Sequence, residues 1–146
     1  MSEFYHYTES GLDYVYLASG FDIRETRRGE VVSFVDLDGL HRAIGHFIVT
    51  ERRRLSGPEI RFLRHELDLS QAALAHLLGT AERTVARWEA GHRPPLVAEG
   101  ALRLLYQERM EERVEVADSF RRMVEIEDQD NRRLELAEDH GWDRAA

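Results

Sequence analysis

Two arginines, Arg83 and Arg87, stand four residues apart in the stretch Thr80-Ala81-Glu82-Arg83-Thr84-Val85-Ala86-Arg87-Trp88-Glu89. That spacing places two side chains on one face of a helix. A guanidinium meets two acceptors at once, on a phosphate or along the major-groove edge of guanine. Beside them, Ala81 can meet a thymine methyl, and Glu82 can accept from cytosine N4 or cap the helix terminus. Thr84, Val85 and Trp88 face inward or sideways. Ser70 and Gln71 open the preceding segment, where the free N–H groups and dipole of a helix start favour a phosphate. Thr80, Thr84 and Arg93 are lesser candidates for the same phosphate strand. The competing reading is that Arg83 and Arg87 only solvate a helix surface, or pair with Glu82 and Glu89.

Other constellations carry less. The seven histidines are scattered; His41 and His46 are five apart, on different sides of a helix, and no H-E-x-x-H is present. The absence of cysteine excludes disulfides, thiolate zinc sites and cysteine nucleophiles. There is no Gly-rich phosphate loop and no G-x-S-x-G. No enzyme activity, no metal site and no cofactor is expected. Tyr5, Tyr7, Tyr14 and Tyr16 cluster with His6 and read as the core of a small domain, with a recognition surface for a ligand, a toxin or a second protomer as the sharper alternative.

The elements that must position Arg83 and Arg87 are strongly punctuated. Ser56 is an N-cap candidate, with Pro58 just inside and Glu59 three residues on; Ile60, Leu63 and Leu67 follow as a buried stripe. Ser70 caps a second helix from Gln71 to Leu78, which Gly79 ends. Thr80 caps a third, Ala81 to Ala90, which Gly91 ends, and Pro94-Pro95 lead into a last helix with Leu102, Leu105 and Tyr106. Two short helices that cross need a small residue at the contact, Ala75. The turn needs a residue that tolerates positive φ, Gly79. Buried anchors at fixed offsets, Leu74, Leu78, Val85 and Trp88, lock the pair. Together these specify a helix-turn-helix.

The flanks divide the 146 residues into three parts. Residues 1–50 read as a small α+β domain, with strands in Leu12–Leu17, Phe21–Thr26 and Val31–Val35. A helix follows through Leu40, Ile44, Phe47 and Ile48, capped by Asp36 or Asp38. Such a domain is marginal alone and is expected to pack on a neighbour or on its own copy. Residues 51–106 form the helix-turn-helix domain. Its leading Arg52-Arg53-Arg54 reads either as a phosphate contact or as a solvated linker. Residues 107–146 read as an acidic helical extension, with an amphipathic run through Met110, Val114, Ala117, Phe120 and Val124 and a frayed tail beyond about Gln129. The fold class is thus mainly α with a small α+β N-terminal domain.

A net charge of −8 conceals a division of sign. Residues 1–50 carry −4 and residues 107–146 carry −6, whereas residues 51–106, with nine Arg against seven acids, carry +2. The only net-basic stretch holds the helix pair, as contact with phosphates requires. All twenty basic residues are Arg, which fits the genomic base composition more than any function. No apolar run reaches the roughly 18–20 residues that span a bilayer, and no basic-then-apolar leader opens the chain, so a cytoplasmic location is expected.

The stretch Ser70-Gln71-Ala72-Ala73-Leu74-Ala75-His76-Leu77-Leu78-Gly79, followed by Thr84-Val85-Ala86-Arg87-Trp88-Glu89-Ala90-Gly91, resembles the Cro/cI-type (XRE-type) domain of lambda-like repressors over Ile60 to Leu105. The resemblance implies a lambda-repressor-like bundle, DNA as the partner, and the third helix entering the major groove with Ala81, Glu82, Arg83, Ala86 and Arg87 outward. A narrower likeness is to MqsA-type antitoxins and their YgiT-like relatives, which share the leading small domain, the Ile60-Arg61-x-Leu63-Arg64 helix and the Arg87-Trp88-Glu89-x-Gly91 ending. Those relatives hold zinc through cysteines in the first domain, and this chain has none. The function these resemblances imply is a dimeric repressor on a near-palindromic operator, with an antitoxin that autoregulates its operon and binds a toxin as the alternative. A further rival is a protein-interaction adaptor that no longer binds DNA.

Overall fold

The computed structural model describes residues 3–110 and 133–146. Contacts divide the chain into two compact units, Met1–Ile44 with Asn131–Ala146, and Gly45–Asp130.

The first unit is built on four short strands, β1 (Tyr5–His6), β2 (Val15–Leu17), β5 (Leu134–Glu138) and β6 (Trp142–Arg144), in the sheet order β1-β2-β5-β6. β2 and β5 pair in parallel, with Val15 against Leu134 and Leu17 against Leu136, and all four side chains are fully buried. The outer pairs are antiparallel. A separate hairpin, β3 (Phe21–Thr26) with β4 (Gly29–Phe34), has Phe21 opposite Phe34 and Thr26 opposite Gly29. Its base rests on aromatic rings: Tyr5 lies 5.4 Å from Phe21, and Tyr7 meets Phe34 edge-on at 5.1 Å.

Asp36, at φ 47, opens helix α1 (Leu37–Glu51), and its carboxylate accepts from Gly39 N–H at 3.1 Å. The hydroxyl of buried Tyr7 hydrogen-bonds His41 at 2.7 Å. The tyrosine cluster is therefore split: Tyr7 belongs to the core, while Tyr16 lies on the open face, stacked on His6 at 4.3 Å with the Arg133 guanidinium 3.7 Å from its ring.

The last residues correct the sequence expectation. The tail beyond Gln129, expected to fray, supplies β5 inside the sheet and β6 at its edge. Its Trp142 indole N–H donates to the Val35 and Asp36 carbonyls at 2.7 and 2.9 Å, and Gly20, at φ 82, leaves the space its ring occupies. The small unit is accordingly discontinuous, residues 1–44 with the C-terminus, not residues 1–50. The amphipathic run from Val114 to Val124 lies outside the described residues.

The second unit is helical: the end of α1, α2 (Gly57–Glu66), α3 (Gln71–Leu78), α4 (Glu82–Glu89) and α5 (Leu96–Arg109). α2 starts with a complete capping box. The Ser56 hydroxyl accepts from Glu59 N–H at 3.3 Å, and the Glu59 carboxylate accepts from Ser56 N–H at 2.9 Å. Ile60, Leu63, Leu74, Val85, Leu102 and Tyr106 form the centre of the core. Fully buried Arg103 reaches from α5 to the end of α1, donating to the carbonyls of Ile48, Val49, Arg52 and Arg53 at 2.6–3.2 Å. Those carbonyls lie in the last turn of α1 and just beyond it, where backbone acceptors outnumber the donors the helix supplies. Close approach also fixes Gly45, where a methyl would strike the Tyr106 ring and hydroxyl.

Candidate nucleic-acid interface

α3 and α4 form the expected pair. Ser70 caps α3, its hydroxyl accepting from Ala73 N–H at 3.0 Å, and Gly79 closes it in the left-handed region at φ 69. Ala75 is buried at the contact, its carbonyl accepting from Thr80 N–H at 2.9 Å. Leu74, Val85 and Trp88 are buried anchors, and Leu78 is half-buried. The start of α4 differs from expectation. Its N-cap is Ala81, not Thr80, and no side chain caps it. No side chain thus competes for the N–H groups that open α4 ahead of Thr84, whose own N–H donates to the Ala81 carbonyl at 2.9 Å.

The outward face of α4 consists of Ala81, Glu82, Arg83 and Arg87, all exposed, with Thr84 and Ala86 half-buried beside them. Neither arginine has an ion-pair partner among the described residues, which removes the competing pairing with Glu82 or Glu89. Glu89 is engaged elsewhere: Arg64 on α2 donates to both its oxygens, at 2.6 and 2.9 Å, and Gln71 on α3 donates to it at 3.2 Å. Burial pushes the Glu89 carboxyl up, but the Arg64 and Gln71 hydrogen bonds, with the charges of Arg64 and Arg61, outweigh this and hold it below the ordinary glutamate range. One carboxylate thus ties three helices together.

This strut also engages Gln71. Its amide is half-buried and donates inward, so a phosphate at the α3 start would meet the Ser70 hydroxyl, the first backbone N–H groups and whatever capacity the Gln71 amide retains. Thr80 is half-buried and Arg93 exposed. The Arg52-Arg53-Arg54 triplet connects α1 to α2 but is not a fully solvated linker. Arg52 pairs with buried Glu59 at 2.9 Å and Arg54 with buried Glu99 at 2.7 Å, so two of the three brace the bundle. Burial lifts the Glu99 carboxyl above its ordinary value despite the Leu55 N–H and the Arg54 and Arg103 charges around it.

Arg61 and His65 are exposed one turn apart on α2, with 3.5 Å between their side-chain nitrogens, and the sequence did not single them out. Arg61 lies near enough to Glu89 for its charge to act there. The signal was its three-residue step before Arg64 on a helix that presents Arg64 to α4.

Residues 60–99 match the helix-turn-helix family. This segment is a helix-turn-helix domain of the Cro/cI (XRE) type. The match runs from just after the capping box to the start of α5, and so includes every candidate DNA-contact residue from Ser70 to Arg93. The helix-turn-helix is a DNA-binding domain of the kind that transcription regulators carry. No curated protein and no solved structure matches the chain. Among the described residues, no group of three or more His, Asp or Glu is placed to hold a metal ion. No helix among them is long and apolar enough to cross a membrane.

Proposed function

We propose that the chain is a sequence-specific transcriptional repressor that binds a near-palindromic operator as a homodimer. The observation that carries this reading is the pair of exposed arginines on one face of α4, without an ion-pair partner among the described residues, beside a Glu89 whose charge is already satisfied. α4 enters the major groove; Arg83 reads a guanine, Arg87 contacts a base or a phosphate, and Ala81 and Glu82 border the same base pairs. Ser70 and the α3 start, with Gln71, Thr80, Thr84 and Arg93, hold the phosphate backbone. One such module covers too few base pairs to select a site in a genome. A dimer places two recognition helices about 34–36 Å apart on successive turns of the groove. Acidic flanks around a basic face discourage indiscriminate binding, and occupancy of a promoter represses it.

A gel shift against the DNA upstream of the gene, with wild type and Arg83→Ala/Arg87→Ala across a salt series, tests the reading. Wild type is expected to prefer that DNA over random sequence, and the double variant to keep only salt-sensitive, non-specific binding. Equal preference for random DNA would defeat the autoregulatory repressor and leave partner binding as the function to seek.

A further inference from the structure

The β3–β4 hairpin leaves one edge in a state that proteins ordinarily avoid. It forms a two-stranded sheet of its own, joined to no other strand among the described residues. Val35 N–H donates to the Gly20 carbonyl at 2.9 Å, one step below the Phe21–Phe34 pair. Bonded and non-bonded pairs alternate along an antiparallel ladder. The backbone groups of Asp22/Ser33 and Arg24/Val31 therefore point inward, and those of Phe21/Phe34, Ile23/Val32 and Glu25/Glu30 point outward, where no strand receives them.

The two outer edges differ in chemistry. β3 carries Asp22, Arg24 and Glu25, with an Asp22–Arg24 pair at 2.9 Å, the charged guard that keeps an edge from pairing. β4 carries one charge, Glu30 near the turn, and then runs Val31-Val32-Ser33-Phe34 into Val35 without another; Val31 and Val35 are 52% and 50% exposed. A two-stranded ribbon is marginal by itself, so an unguarded apolar edge on one is a place for a further strand.

We propose that the free edge of β4 pairs with β4 of a second copy of this chain, antiparallel about a two-fold axis at Val32, giving a four-stranded sheet β3-β4-β4-β3. The proposal rests on the dimeric reading above and names a surface for it. In this register Val32 faces Val32, Val31 faces Ser33 and Glu30 faces Phe34, so no like charges meet. The outward groups of Glu30, Val32 and Phe34 all find partners. The charged β3 strands become the new outer edges, so pairing closes at two copies and does not propagate.

The chain has no cysteine, so Val32→Cys in the full chain carries a single thiol. Directly bonded antiparallel residues have Cα atoms about 5.5 Å apart, within disulfide reach. Mild oxidation of Val32→Cys is expected to give a covalent dimer at dilute concentration, while Ile23→Cys on the guarded edge stays uncrosslinked. Val32→Asp, which sets two carboxylates at the axis, should sediment as a monomer with its far-UV circular dichroism retained and bind the operator about a hundredfold more weakly. No crosslink at Val32, or a Val32→Asp variant that sediments as wild type does, overturns the proposal. If Val97→Asp, at the exposed apolar start of α5, dissociates the dimer instead, the β4 edge is wrong and the dimeric reading stands. A wild type that is monomeric even on its operator overturns both.

Discussion

Glu89 lies two positions beyond Arg87, yet the two have different tasks. The first is held by Arg64 and Gln71 inside the helix pair, and the second is left to solvent. Removing one member of a buried ion pair strands the other, at a cost of about 3–5 kcal/mol. Arg64→Met is therefore expected to lower the denaturant midpoint strongly, and to weaken DNA binding only through lost folded protein. The pH dependence follows from the depressed Glu89 value. Its folded carboxyl titrates below the ordinary 4.5, so the stability it contributes is present above about pH 4.5 and is lost as pH falls through the folded value. Urea midpoints measured from pH 6 to pH 3 should show wild type and Glu89→Gln converging at the acid end. At the recognition surface, Arg83→Ala should cost about 1–3 kcal/mol of discrimination at one base pair. Competition binding against operators altered at single positions reads this directly.

Among the elements, α3 and α4 depend on two glycines for different reasons. Gly79 adopts φ 69, and a methyl there would meet nothing. Gly79→Ala should therefore cost only the backbone strain of about 1–2 kcal/mol, read as a modest fall in melting temperature. Gly57, at the start of α2, lies against the backbone of Trp88 and Glu89 at the end of α4. A methyl there must push the two helices apart. Gly57→Ala is expected to exceed the cost of Gly79→Ala, and the same melting series should rank them so. The need for Gly at the α3–α4 turn was legible in sequence, because a helix that ends at Leu78 and restarts by Glu82 requires a left-handed residue between. The need at Gly57 was not, because its collision partner lies on a helix far along the chain.

For the whole molecule, the two ends of the chain share one sheet. β5 lies between β2 and β6, so deleting residues 134–146 removes the central pairing of Val15, Tyr16 and Leu17. Hydrogen exchange should then show β2 amides losing protection, while those of α2, α3 and α4, which belong to the other unit, keep theirs.

The amino-acid sequence by itself determined the helix pair and, except at the start of α4, its caps. Ser56 with Glu59, Ser70, Gly79, and the anchors Leu74, Val85 and Trp88 act over short separations along the chain, where local geometry dictates the outcome. It also determined that Arg83 and Arg87 share a face, because helical periodicity alone sets that. Only the tertiary structure decided which charges are spent. Arg52, Arg54 and Arg64 look as available as Arg83 along the chain, but each meets a buried glutamate supplied by another turn. It likewise decided the fate of the C-terminus. Leu134 and Leu136 are too short a run to declare a strand. They become one because β2, more than a hundred residues earlier, offers the parallel edge that buries them.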